Sequence, residues 1–160
     1  MFRDMRRIKQ LLTKGKIEEI LNRSTSGVLG VNGDDGYPYT VPISYAYEDG
    51  KLFFHSAKAG HKIDSIINDD KVTFSIIDKD EVIQDTFTSH FRSVSIFGRA
   101  RILTEDNEKQ HAFELLVKKY SPDFIKEGLQ GIKDTWNRVY LIEIEIEHMT
   151  GKAAMAILNE

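Results

Sequence analysis

The residues best placed to do chemistry lie between Pro38 and Ile67, PYTVPISYAYEDGKLFFHSAKAGHKIDSII. His61 and Lys62 follow a loop of small residues, Ala57–Gly60, and open a short predicted helix. Cations are misplaced there, because a helix N-terminus already carries about half a positive charge. A bound anion offsets the conflict, held by free backbone N–H groups and by the basic side chains themselves. The segment reads as an anchor for a phosphorylated cofactor. A solvated surface lysine is the alternative that Lys62 alone leaves open. Upstream stand His55 and Ser56, closing a strand that begins at Lys51. Histidine titrates near neutrality and can move a proton, although one that follows two phenylalanines on a strand is often a structural residue. Thr40, Pro42 and Ser44 form a small, weakly polar face opposite Val41, Ile43 and Tyr45. That face is either an ordinary outward surface or a smooth wall for a flat ring, with Pro42 interrupting the strand's pairing.

The elements that must position these groups are mostly strands. Tyr39–Tyr47 and Lys51–Ser56 flank Asp49-Gly50, a strong hairpin signal, and Asp35-Gly36 closes another hairpin between Ser26–Val31 and Tyr37–Tyr47. Val72–Ile77 and Phe91–Leu103 are further strands. In the latter Ser93, Ser95, Phe97, Arg99 and Arg101 share one face and Val94, Ile96, Gly98, Ala100 and Ile102 the other. Val139–Glu147 alternates Ile142, Ile144 and Ile146 with Glu143, Glu145 and Glu147, which predicts one buried and one wet face. Lys16–Arg23 carries Ile17, Ile20 and Leu21 at helical spacing. Thr104 is the expected cap of a second helix whose stripe is Phe113, Leu116, Val117 and Tyr120. Lys79–Ser89 reads as a surface loop, and Ser121–Thr135, broken by Pro122, Gly128 and Gly131, as a mobile segment. Six strands with short connections predict an antiparallel barrel, which leaves few edges exposed.

Composition narrows the function classes. The 160 residues suit one domain, 1–160, with an N-terminal helix or arm over 1–15 and a tail over 149–160. A net charge of −3 without a basic stripe argues against a nucleic-acid partner. The absence of cysteine excludes disulfides and thiolate metal sites and fits a reducing cytoplasm. No apolar run approaches the roughly 20 residues that span a bilayer, so no membrane partner is expected. The five histidines, His55, His61, His90, His111 and His148, show no metal-ligand spacing, so no metal is expected. A nucleophile elbow and a phosphate-binding P-loop are both missing.

In order and spacing, several short pieces resemble a known family. They are Gly36-Tyr37-Pro38-Tyr39 with Val41-Pro42-Ile43-Ser44-Tyr45, Phe54-His55-Ser56-Ala57, Gly60-His61-Lys62, Ser93-Val94 with Phe97-Gly98-Arg99-Ala100, and Thr150-Gly151-Lys152. From about Ile17 to Lys152 the chain resembles the FMN-binding split-barrel proteins related to pyridoxamine 5′-phosphate oxidase, and among them the nitroimidazole-resistance type. The resemblance implies a mainly β, α+β fold: a six-stranded antiparallel split β-barrel with peripheral helices, paired as a homodimer with FMN at the interface. It implies that Thr40, Val41, Pro42, Ile43 and Ser44 lie along the flavin ring, that Phe54, His55 and Ser56 flank the ring and ribityl chain, and that His61 and Lys62 grip the phosphate. Ser93 would reach the flavin of the second subunit. The sequence departs from the family at the phosphate pair, commonly Arg-Lys and here His-Lys; a histidine gives up its charge near neutrality where arginine does not.

The expected activity is reduction of a nitroaromatic or another small electrophile, with a nicotinamide such as NAD(P)H as electron donor and His55 as the acid or base. A flavin- or haem-binding module without turnover is the other class. Trp136 and Tyr120 could stack on a ring, although large aromatics more often fill cores, and Lys152 is a site candidate only through its Thr-Gly-Lys context.

Overall fold

A computed structural model describes all 160 residues. Seven strands form one antiparallel sheet: β1 (Gly27–Asn32), β2 (Pro38–Ile43), β3 (Ala46–Glu48), β4 (Lys51–Ala57), β5 (Lys71–Ile83), β6 (Thr88–Ile102) and β7 (Val139–Ala153). Four helices accompany them: α1 (Lys14–Arg23), α2 (His61–Asn68), α3 (Asp106–Tyr120) and α4 (Ile125–Thr135). The strand order is β2-β1-β5-β6-β7-β4-β3. Its two ends, β2 and β3, are joined by only Ser44 and Tyr45, so the sheet must curl until its edges meet. That is the split barrel. Leu29, Phe54, Phe74, Ile96 and Ile144, from five strands, share one core with Ile20 and Leu21 of α1 and Ile63 and Ile66 of α2.

Seven strands replace the expected six because Tyr37–Tyr47 is not continuous. Tyr45 leaves the ladder: its N–H donates to the Tyr120 hydroxyl at 2.8 Å, and its carbonyl lies 2.7 Å from the same oxygen. A side chain 75 residues away thus satisfies the backbone groups that a strand would have paired. The two hairpin turns stand as expected, with positive φ at Asp35, Gly36, Asp49 and Gly50.

Other departures have local causes. Lys79–Ser89 is no loop; β5 and β6 stay paired to Ile83 and Thr88, past the ends of their neighbours, with both faces exposed. Ser121–Thr135 forms a turn, Pro122–Phe124, followed by α4, and Ile132 is buried. Thr104 does not cap α3. Glu105 precedes the helix and makes no capping bond. Glu143, expected on a wet face, is buried, because α3 and α4 cover that side of β4 and β7. Its carboxylate accepts from Lys51 Nζ (3.2 Å) and Arg101 Nε (3.1 Å). Phe53, Leu103, Phe113, Leu116 and Leu141 form the second core beneath these helices.

Candidate flavin site

The helix start at Gly60 has the geometry of an anion site. Gly60 sits at φ 127°, a conformation that side-chain-bearing residues rarely adopt. Its carbonyl accepts from Ile63 N–H at 3.0 Å and Asp64 N–H at 3.1 Å. The N–H groups of His61 and Lys62 therefore precede the first intrahelical bond and no side chain caps them. A Cβ placed on Gly60 would meet nothing within 4 Å, so the glycine that leads the helix stands in open space. Lys62 is half-buried and makes no ion pair. These donors fit a phosphate.

His61 behaves differently from its neighbour. Its ring stacks on Tyr39 at 4.1 Å, and its Nε2 lies 3.8 Å from the exposed Asp34 carboxylate in the β1–β2 turn. The basic pair is thus divided between an unpaired lysine and a histidine tied to the adjoining turn.

β2 and β4 present alternating faces toward this region. Thr40, Pro42 and Ser44 are exposed, whereas Val41 and Ile43 pack against the core. Phe54 is fully buried and Ser56 nearly so, its hydroxyl donating to the Ala57 carbonyl at 3.0 Å. From Phe54 the backbone alone is available to a ligand. His55 is exposed and has no hydrogen-bond partner within the chain. Together with Ser44 it lines a cleft of about 480 Å³ whose other wall is α3 and α4.

Thr40 lines a different groove, of about 560 Å³, on the outer face of the sheet with Thr73, Phe97 and Arg99. Ser93 lies on β6 across from Ile77 and Lys152. The small exposed residues Pro42, Ser75 and Ser95 continue the same outer surface through the register Pro42–Val28–Ser75–Ser95. Trp136 does not line the cleft. It stacks on Phe113 at 5.7 Å with Lys109 Nζ 4.4 Å from its ring. Lys152 also stays outside, with its Nζ 5.5 Å from the Phe91 ring.

Tyr120 lines the cleft as a brace. Its hydroxyl ties the end of α3 to Tyr45 and to the Thr25 carbonyl at 2.6 Å, and so fixes Ser44 beside it. Behind it, Lys119 Nζ sits 4.0 Å over the Tyr45 ring and donates to the Leu21 carbonyl at 3.2 Å. Burial without a carboxylate partner lowers its pKa to about 8. Sequence reading missed both roles, because each depends on contacts between residues about 75 to 100 positions apart.

Comparison with known proteins agrees with this fold. The family model described as pyridoxamine 5′-phosphate oxidase matches residues 13–153. An uncharacterized protein of Rhizobium meliloti (strain 1021) is 32% identical over 131 residues, covering 76% of this chain and 80% of that protein. Among solved structures, a conserved hypothetical protein from Mycobacterium tuberculosis superposes with TM-score 0.80 at 21% identity, over 94% of this chain and 90% of that one. A candidate 5-nitroimidazole antibiotic resistance protein from Bacteroides thetaiotaomicron gives 0.73 at 22%, over 89% and 86%. A FAD-binding protein from Mesorhizobium loti gives 0.64 at 24%, over 91% and 97%. The chain therefore belongs to the pyridoxamine 5′-phosphate oxidase family and carries its split-barrel fold.

Proposed function

We propose that this protein is an FMN-dependent oxidoreductase of the cytoplasm that works as a homodimer. The observation that carries the reading is the unpaired Lys62 beside two free backbone N–H groups at an open, glycine-led helix start. The flavin supplies the redox chemistry when bound, and the protein supplies position and electrostatics. Lys62 and the α2 donors hold the phosphate, Thr40 to Ser44 wall the ring, and His55 faces the cleft where a small electrophile such as a nitroaromatic is reduced. The outer sheet face around Ser75, Ser93 and Ser95, small and open, is where the second subunit seats. A two-fold pairing makes that contact reciprocal.

The visible spectrum of the protein as isolated tests the cofactor. Flavin absorbance is expected at one FMN per chain, in a species of twice the chain mass, bleached anaerobically by NADH or NADPH. A colourless protein that takes up no FMN overturns the reading. A flavin that neither donor reduces turns it into a binding module.

His55→Ala separates chemistry from structure. The ring is exposed and unpartnered, so the apoprotein should melt within a degree or two of the parent. Turnover or the flavin potential should change. An earlier melt with unaltered reduction would make His55 structural, since losing a buried polar contact costs about 1–3 kcal/mol.

A further inference from the structure

We propose that the cleft between α3, α4 and the Ser44–His55 edge is a substrate pocket for an uncharged, mostly apolar molecule, with Gly131 setting its depth. The proposal rests on the flavin reading only in taking His55 and Ser44 as the pocket's border with the cofactor.

The cleft's volume of about 480 Å³ lies in the range of small-molecule sites. Phe113, Leu116, Val117 and Ile132 make its floor, and no aspartate, glutamate, lysine or arginine lines it. Two of its hydroxyls are already engaged: Tyr120 braces Tyr45, and Thr135 donates to the Gly131 carbonyl at 3.0 Å. The groups left free are His55 and Ser121 on the rim, with the Ser44 side chain beside the Tyr120 hydroxyl. A ligand can accept or donate a few hydrogen bonds there while burying an apolar body. An anionic substrate would lose its hydration with no lysine or arginine to pair with, which is unfavourable.

Two glycines of α4 divide the labour. A Cβ at Gly128 would fall 2.6 Å from Val117 Cγ1, so this glycine lets α3 and α4 approach closely. A Cβ at Gly131 would meet nothing within 4 Å, although the residue lines the cleft. Packing gives no reason for a glycine there, and glycine inside a helix is unfavourable relative to alanine. Keeping the cleft empty is a reason.

Menadione, uncharged, and a naphthoquinone sulfonate of the same ring system make a matched pair of probes, and the chain has no cysteine to trap either one. Their binding to the oxidised holoprotein is measured calorimetrically, without an electron donor, for the parent, Gly131→Ala and Gly131→Phe. The parent should bind menadione at least tenfold more tightly than the sulfonate. Gly131→Phe should weaken menadione at least tenfold while flavin content and melting temperature stay at parental values, and Gly131→Ala should weaken it by a smaller factor. Equal binding of the two probes by the parent overturns the proposal, even if Gly131→Phe fails to fold. So does a folded Gly131→Phe that binds menadione like the parent. If the protein carries no flavin yet its apo form shows the expected pattern, the pocket stands and the flavin reading falls.

Discussion

Replacing Lys62 with alanine should weaken FMN binding about ten- to hundredfold and leave riboflavin binding nearly unchanged. The lysine has no ion pair to lose and sits at a helix start, so its charge is available to a ligand. A charge-assisted hydrogen bond is worth about 1.5–3 kcal/mol, and each 1.4 kcal/mol is a factor of ten in affinity. The fold should survive, since Lys62 belongs to neither core cluster. Riboflavin has the same ring but no phosphate, so it isolates the anchor from the wall. Titration of both ligands against parent and variant is the measurement, and equal losses for the two would place the phosphate elsewhere. His61 should matter less than the family's arginine at that place, because its ring is stacked on Tyr39 and sits near Asp34.

Much of the barrel was legible because its rules are local. Alternation in β6 places Val94, Ile96 and Ala100 inside and Ser95, Phe97 and Arg99 outside, as the pattern predicts. The turns at Asp35-Gly36 and Asp49-Gly50 were legible because positive φ selects those residues. The strand break at Ser44-Tyr45 was not, since its cause is the hydroxyl of Tyr120 on a distant helix. The outer half of the β5–β6 hairpin was misread because both of its faces are wet, which leaves backbone pairing without a hydrophobic period to announce it. In α4 the glycines look like breakers in sequence, yet one serves close packing and the other borders a cleft.

The candidate site divides along the same line. The proposed phosphate anchor is contiguous in sequence, Gly60 to Lys62, so helix electrostatics alone suffices to suggest it. The cleft brings Ser44 and His55 against residues 113–135, and no local pattern relates these segments.

Asp78→Ala should be the most destabilising of the polar substitutions considered, by about 3–5 kcal/mol. Asp78 sits where the β5–β6 register shifts, with its side chain 7% exposed. It accepts from Arg23 Nε at 2.8 Å and Nη2 at 2.7 Å, and from Arg92 Nε at 2.6 Å, joining the end of α1 to β5 and β6. Arg23 can turn to solvent when the carboxylate is removed. Arg92, only 14% exposed, would keep a buried charge with its main counter-ion gone. For a chain of this size each kcal/mol moves the melting temperature by roughly 2–4 °C, so a drop on the order of 10 °C is expected at neutral pH. Acid should shrink the difference. Burial alone would raise the Asp78 pKa, but the hydrogen bonds from Arg23 and Arg92 outweigh it and hold the carboxyl below its ordinary value. A carboxylate with a depressed folded-state pKa stabilises fully above its unfolded value, about 3.9, and loses that contribution as pH falls through the folded one. The parent should therefore lose stability more steeply than the variant below about pH 4. Urea unfolding at neutral pH and across the acid range reads both effects, and parallel pH profiles would show that the Asp78 clamp does not contribute as derived.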